Sequence, residues 1–303
     1  MTRRQADATL LFAALLWGVS FVVVKVGLDS ASPLAFATIR FAVATLVLAP
    51  FARLGTPFSR AELVGGVGLS LLLGIGYLTQ TTGLQWTTPS RSAFLVALSS
   101  VIAPAIAALA LRERPRSPLL LALALAGVGV FLLTAPEHGG PNRGDGLTLI
   151  TAVLYGGHIV VTGALARRHD PLRLVWLEIV GTTLLAAGGA VVVEDARVVW
   201  SAGFAGVLAY CAIGASVVPL LLQMKAQRHM SAARASVLLC GESLFAAVTS
   251  WLVLGERLSP VQWMGGSLIL AGLVLAELRT PPSIPVELPQ SPDDISGQPS
   301  LPE

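Results

Sequence analysis

The sequence contains ten runs of about 20 mostly apolar residues, separated by short polar connections. A helix needs about 20 residues to cross the roughly 30 Å hydrocarbon layer of a membrane. The runs cover residues 8–28, 33–51, 62–84, 90–111, 117–135, 145–165, 172–193, 202–222, 232–254 and 260–278. Backbone groups in lipid must be satisfied internally, and β-barrel strands would be shorter and alternate in polarity. We therefore predict an all-α membrane protein with ten transmembrane helices.

The charge content agrees with a lipid-facing exterior. Charged residues make up 12% of the 303 residues, against about 25% in soluble domains. This is too few to coat a soluble protein of this length. The net charge is +3, and the basic residues form short clusters between the apolar runs. This pattern indicates membrane topology and no nucleic-acid partner.

The distribution of Lys and Arg predicts the orientation. With the N-terminus inside, 13 of these residues fall in cytoplasmic segments, 4 fall on the opposite side, and three lie in or at the ends of spans. The bias satisfies the positive-inside rule, so we expect both termini in the cytoplasm and a multi-pass protein of the inner (plasma) membrane. The first run continues to about Leu28 without a small-x-small cleavage site, so we interpret it as a membrane helix and not as a signal peptide.

The two halves of the chain resemble each other. A shift of 143 residues superposes Arg91 on Arg234 and the Glu113–Arg114 pair on Glu256–Arg257, while a shift of 138 superposes Gly18 on Gly156. We predict a cytoplasmic N-terminus at 1–7, a first five-helix repeat at 8–135, a linker at 136–144, a second five-helix repeat at 145–278 and a disordered, proline-rich cytoplasmic tail at 279–303. Because five is odd, the second repeat is inverted, as in secondary transporters whose halves move around a midplane site.

Several motifs resemble the EamA-type carriers of the drug/metabolite transporter superfamily. They are the segment from Leu15 to Phe21, the segment from Pro33 to Phe41 with its Arg40, the segment from Leu254 to Pro260 with Gln262, Trp263 and Gly265, the run from Leu270 to Gly272, and a looser counterpart at Leu111 to Arg114. The resemblance covers residues 8 to 278. It implies ten helices in two inverted repeats, a central substrate cavity and export of metabolites or amino acids.

The sequence departs from that family in helices four and nine. Where the family often has proline, this chain has Ser100 and Ser243. The helix kinks there are expected to differ, with Pro104 as a candidate for a displaced kink in helix four.

Glu242, near the middle of the ninth span, is the strongest candidate for a transport residue. Ionisable groups inside a membrane usually face a cavity or a partner, and the position matches a glutamate common in the family. Glu242 either contacts a substrate amine, carries a coupling proton or makes a structural hydrogen bond to a neighbouring helix. Two more intramembrane charges, Arg40 and Glu178, occupy equivalent positions in the two halves. Arg40 either attracts a carboxylate or bonds helix carbonyls, and inversion gives no reason for direct contact between the two.

Further candidates for the translocation site are aromatic and polar residues near the centres of spans. They are Trp17, Ser20, Tyr77, Gln80, Ser99, Tyr155 and His158. Each could equally be a packing residue, and His158 could be simply hydrogen-bonded. Their concentration in helices one, three and six favours a shared cavity.

The sequence gives no sign of catalysis. It contains no HExxH, GxSxG or phosphate-binding loop, and Cys211 and Cys240 lie in apolar runs without metal-ligand spacing. We expect no enzyme activity, no cofactor and no metal. We predict a monomeric secondary transporter that exports amino acids or related small metabolites by alternating access, with protons as the candidate coupling ion. The alternative is a channel-like or scaffold membrane protein.

Overall fold

The computed structural model describes residues 1–52, 55–110, 117–133 and 140–278, apart from some side chains near the ends of these ranges. The described residues form helices joined by short connections. The helices are α1 (Arg3–Gly27), α2 (Pro33–Leu48), α3 (Arg60–Gly83), α4 (Pro89–Val96), α5 (Leu98–Ala110), α6 (Ser117–Leu133), α7 (Arg143–Leu165), α8 (Pro171–Val193), α9 (Ala202–Ala209), α10 (Val218–Gln227), α11 (Ala232–Leu239), α12 (Gly241–Leu254) and α13 (Pro260–Leu278).

Within the described ranges, eight helical segments are long and apolar enough to cross a membrane. They are Arg3–Gly27, Pro33–Phe51, Arg60–Gly83, Pro89–Ala107, Arg143–Leu165, Pro171–Val193, Ala202–Gln227 and Arg234–Leu254. The prediction of a multi-pass helical membrane protein is therefore confirmed. Helices α6 and α13 lie where the fifth and tenth spans are predicted, and the count of ten stays a prediction. The tail at 279–303, the Leu111 to Arg114 motif and residues 136–139 of the 136–144 linker lie outside the described residues.

Polar caps and prolines set the starts of the helices. Asn142 accepts a hydrogen bond from the backbone N–H of Asp145, whose side chain accepts from the Asn142 N–H, and this capping box starts α7. Such a box satisfies two backbone donors that a helix leaves unpaired at its N-terminus. Helices α2, α4 and α8 instead begin at Pro33, Pro89 and Pro171, a position where the missing N–H of proline has no consequence.

Two spans are broken, at Ala97 between α4 and α5 and at Cys240 between α11 and α12. These positions are equivalent in the two halves, since 240 − 97 = 143. Serine follows each break: Ser243 Oγ donates to Cys240 O at 2.8 Å, and Ser100 Oγ donates to Ser236 O across the helix pair at 2.9 Å. Hydroxyls that bond helix carbonyls bend helices. Pro104 lies inside α5, and the displaced kink expected there stays a prediction.

A third irregularity lies between α9 and α10, where residues Tyr210–Val217 form a π-helix. A π-helix replaces the i→i−4 bonds of the α-helix with wider ones and commonly marks a functional site. It leaves carbonyl oxygens available to side chains from other helices.

The outer surface is strongly apolar. Val191, Val192 and Leu46 are 86%, 79% and 72% exposed, and many other large aliphatic side chains face outward. Inside the bundle lie buried polar groups such as Arg40, Glu178 and Gln227. This arrangement reverses that of a soluble protein and is expected where the surrounding solvent is lipid.

Several contacts recur between positions related by the two sequence shifts. Arg91 pairs with Asp145 at 2.5 Å and Arg234 pairs with Asp7 at 2.6 Å, and these residues correspond because 234 − 91 = 143 and 145 − 7 = 138. Thr45 and its counterpart Thr183 touch directly through their hydroxyls at 3.2 Å. The two equivalent arginines, Arg91 and Arg234, therefore each form a salt bridge with an aspartate of the other half.

Glycines make the same close approach in each half. A Cβ atom added at Gly18 would lie 2.7 Å from Glu242 O and 2.6 Å from Phe245 Cβ. At the equivalent Gly156 it would lie 3.1 Å from Ser99 O and 3.0 Å from Ile102 Cγ2. Only a residue without a side chain lets these backbones pack so closely. The paired glycines fix the contact of α1 with α12 and of α7 with α5.

Candidate functional site

A central cavity lies at the two helix breaks. Its walls come from both halves of the chain: α1, α3, α4 and α5 from the first half, and α7, α10, α11 and α12 from the second. Eight of the ten predicted site residues line it, namely Trp17, Ser20, Tyr77, Gln80, Ser99, Tyr155, His158 and Glu242. The other two, Arg40 and Glu178, lie behind the wall.

Glu242 lies in the first turn of α12, directly after the break at Cys240. Its side chain faces the cavity and makes no hydrogen bond or salt bridge with any residue in the described part of the chain. The N-terminal end of a helix favours a negative charge. The geometry therefore gives no support to a structural hydrogen bond for Glu242 and leaves its carboxylate available to a ligand.

Three aromatic residues form one side of the cavity. Trp17 Nε1 and the Tyr77 hydroxyl both donate to Ala215 O, at 3.0 and 3.2 Å. Tyr155 donates to Gln80 Oε1 at 3.1 Å, and its ring meets the Tyr77 ring edge-on with centroids 5.7 Å apart. The polar atoms of these side chains are held by the protein, so the rings have fixed positions and offer an apolar surface to a ligand.

Arg40 is 1% exposed and supports this aromatic wall from outside. Its Nε donates to Cys211 O at 3.1 Å and to Ser216 Oγ at 2.9 Å, and its terminal nitrogen donates to Ala215 O at 2.9 Å. All three acceptors belong to the π-helix. The guanidinium also lies over the Tyr77 ring, 4.6 Å from its centroid. Of the two roles considered for Arg40, the structure shows the bonding of helix carbonyls.

Glu178 is also 1% exposed and contacts His158. Its Oε1 lies 2.5 Å from His158 Nε2, and Thr162 Oγ1 is 3.4 Å from the same nitrogen. His158 thus connects the cavity with a carboxylate buried behind its wall. Each residue lies ten positions from residue 168 in the α7–α8 connection, which places the two at similar depth on consecutive helices. The sequence does not show that their side chains meet.

Sequence reasoning missed three polar residues of the wall, Ser100, Gln223 and Ser243, as well as six apolar ones, Leu73, Ala93, Val96, Ala97, Ile159 and Leu239. The predicted span ended at residue 222, just before Gln223. In the structure this helix continues to Gln227, whose Nε2 donates to Ile159 O at 3.1 Å. The helix extends beyond its apolar run because these amides are buried in the bundle. Ser100 and Ser243 are equivalent under the shift of 143, and that equivalence is the signal that could have placed both in the wall.

Comparison with known proteins assigns the class. The EamA-like transporter family matches residues 4–135 and again 142–278. An uncharacterized transporter of Archaeoglobus fulgidus is 33% identical over 91% of this chain and 87% of its own length. The uncharacterized inner membrane transporter YicL of Salmonella typhimurium is 28% identical over 91% of this chain and 96% of its own length.

A solved crystal structure shares the fold, with a TM-score of 0.68 at 15% identity over 91% of this chain and 98% of that one. The multi-pass helical fold and the family match together define a membrane transporter. This chain belongs to the EamA-like transporter family.

Proposed function

We propose that this transporter exports amino acids or related small metabolites by alternating access, and that Glu242 binds the amino group of the substrate. The observation that carries the proposal is the Glu242 carboxylate, which faces the cavity without a partner among the described residues. A carboxylate in a water-poor cavity gains most from a cationic ligand group. A substrate with a protonated amine provides that group.

The rest of the cavity suits a small amphipathic molecule. Among the described residues, its lining combines the single carboxylate of Glu242 with the rings of Trp17, Tyr77 and Tyr155 and with neutral polar side chains such as Ser99 and Gln80. Sites for small molecules combine mostly apolar walls with a few placed polar groups. The rings would contact the apolar part of the substrate while Glu242 fixes the position of the amine.

The paired contacts of the two halves support alternating access. Equivalent residues touch at Thr45–Thr183, where the hydroxyls are 3.2 Å apart, and at Ala97–Cys240, where Cys240 Sγ is 3.7 Å from Ala97 O. Such self-pairing is expected around a two-fold axis between inverted repeats, the architecture in which two halves rock around a central site. We further propose that both termini lie in the cytoplasm, on the side that the 13 basic residues favour.

Counterflow in liposomes tests the proposal. Purified protein is reconstituted, loaded with unlabelled amino acids, and assayed for exchange with a radiolabelled amino-acid mixture. Glu242→Gln, Glu242→Asp and the control Asp195→Asn, which removes an exposed carboxylate from the α8–α9 connection, are measured beside the parent. We expect saturable exchange that is lost in Glu242→Gln, reduced in Glu242→Asp and unchanged in Asp195→Asn.

Two outcomes would count against the proposal. Unchanged exchange in Glu242→Gln would remove that carboxylate from the binding site. Steady single-channel currents without saturable exchange would favour the channel-like alternative over a carrier.

A further inference from the structure

The buried His158–Glu178 pair has no role in the binding scheme above. We propose that this pair is a proton-binding site that couples export to the proton gradient, leaving Glu242 to bind the substrate. The inference rests on the proposed function, because it concerns the same cavity. It differs from the sequence-based hypothesis, which placed the coupling proton on Glu242.

Burial fixes the number of protons that the pair must hold. Glu178 and His158 are 1% and 4% exposed, and His158 Nε2 at 2.5 Å is the one polar contact of the Glu178 carboxylate among the described residues. An ionised carboxylate at this depth needs a compensating positive charge. A neutral imidazole beside an ionised carboxylate has a net charge of −1, and one added proton makes the pair electrically neutral. The net charge is the same whether that proton is on the His158 nitrogen or on the Glu178 oxygen. Its loss leaves a net negative charge in the bundle.

The geometry gives this proton a route to water. His158 lines the cavity, whereas Glu178 does not. A proton from cavity water therefore reaches His158 first and is shared with Glu178 behind it, and it leaves by the same route when the cavity opens to the other side. Histidine is suited to this exchange because its ordinary pKa lies near physiological pH.

The pair is not a requirement of the repeated fold. Subtracting the shift of 138 from 158 and 178 gives Ser20 and Arg40. Ser20 donates to Trp17 O in its own helix, and Arg40 bonds the π-helix, so the corresponding contact in the first half is absent from the described residues. The same packing is therefore achieved in the first half without an acid–base pair. The second half has an additional group that can bind a proton.

The charge of Glu242 links the two sites. Glu242 and His158 line the same cavity, and Glu178 contacts His158, so both carboxylates belong to one low-dielectric region. Among the described residues, the other charged or titratable groups near this region are Arg40 from α2, Tyr77 from α3, Tyr155 from α7 and the thiol of Cys240, two residues before Glu242. Helices α1, α5 and α10 contribute the neutral Ser20, Ser99 and Gln223. Positive charges in such a region repel each other. A protonated amine bound at Glu242 therefore weakens the binding of a proton to the His158–Glu178 pair. Exchange of substrate against protons requires this mutual exclusion.

The test separates coupling from binding. Proteoliposomes are assayed with the radiolabelled amino-acid mixture in two ways: counterflow without a pH gradient, and accumulation driven by an imposed pH gradient, with trapped pyranine reporting proton movement. The variants are His158→Gln, Glu178→Gln and the double variant, which leaves no lone buried charge. Thr162→Val is the control, since it alters a neighbour of His158 without removing a titratable group.

We expect Glu178→Gln, which changes a residue behind the cavity wall, to retain saturable counterflow. All three pair variants should lose both gradient-driven accumulation and substrate-dependent proton movement. Thr162→Val should retain both activities. Accumulation at the parent level in the folded double variant would overturn the proposal. So would a parent protein that shows counterflow but neither accumulates substrate nor moves protons under the imposed pH gradient. A parent without counterflow would instead contradict the proposed function, so the two failures are distinguishable.

Discussion

Arg91 and Asp145 form a buried salt bridge, with the guanidinium nitrogen 2.5 Å from the carboxylate and side chains that are 6% and 3% exposed. The equivalent bridge between Arg234 and Asp7 has side chains that are 30% and 22% exposed. One connects α4 to α7 and the other connects α11 to α1. The same contact thus occurs twice in the chain, in surroundings of different polarity.

This difference in burial predicts unequal contributions to stability. Removing one partner of a buried pair leaves an uncompensated charge and costs about 3–5 kcal/mol, whereas an exposed pair contributes about 0–1 kcal/mol. We expect Asp145→Asn to lower the free energy of unfolding far more than Asp7→Asn. Thermal unfolding in detergent, followed by tryptophan fluorescence, measures both. An equal loss in the two variants would contradict this account.

Gly18 is predicted to be essential for the position of Glu242. In Gly18→Ala the new methyl group would lie 2.7 Å from Glu242 O and 2.6 Å from Phe245 Cβ, so α12 must shift. Overpacking of this kind costs about 1–3 kcal/mol, and the displaced carboxylate should weaken substrate exchange. Gly68→Ala is the matched control, because nothing lies within 4 Å of its added Cβ. Counterflow and thermal unfolding are measured for both variants. Full exchange activity in Gly18→Ala would show that Gly18 is not needed to position Glu242.

Arg40 is predicted to stabilise the π-helix. Arg40→Leu leaves the carbonyl of Cys211 without its guanidinium donor and removes one of the donors to Ala215 O. Each buried polar group that loses its partner costs about 1–3 kcal/mol. We expect a lower melting temperature and loss of exchange, because Trp17 and Tyr77 bond the same Ala215 oxygen. Arg60→Leu, at an exposed position, serves as control, and comparable melting temperatures for the two variants would argue against this role.

The repeat predicts that the binding carboxylate can be moved to the other half. Ser99 is the counterpart of Glu242 under the shift of 143, and both line the cavity. Glu242→Ser should abolish exchange, and adding Ser99→Glu should restore part of it, since the carboxylate returns at the equivalent position. Counterflow of the single and double variants is the measurement. If the double variant stays inactive although it is folded and inserted, the two positions are not interchangeable.

Much of the candidate site could be predicted from the sequence. Glu242, Trp17 and Tyr155 stand out because polar and aromatic groups inside apolar spans have few roles other than to line a cavity. The partners of Glu178 and Arg40 could not be predicted with the same reasoning, because each partner lies on another helix. The breaks at Ala97 and Cys240 have no proline at the break itself, so their position depends on serine hydroxyls and on contacts between helices.

By itself, the sequence determined that this chain spans a membrane many times and that its halves resemble each other, because runs of about 20 apolar residues are stable as helices only in lipid. The tertiary structure alone decided which face of each helix turns inward. Apolar helices with little amphipathic pattern do not specify their own rotation, so the pairing of His158 with Glu178 and of Arg40 with the π-helix follows from how the helices pack against one another.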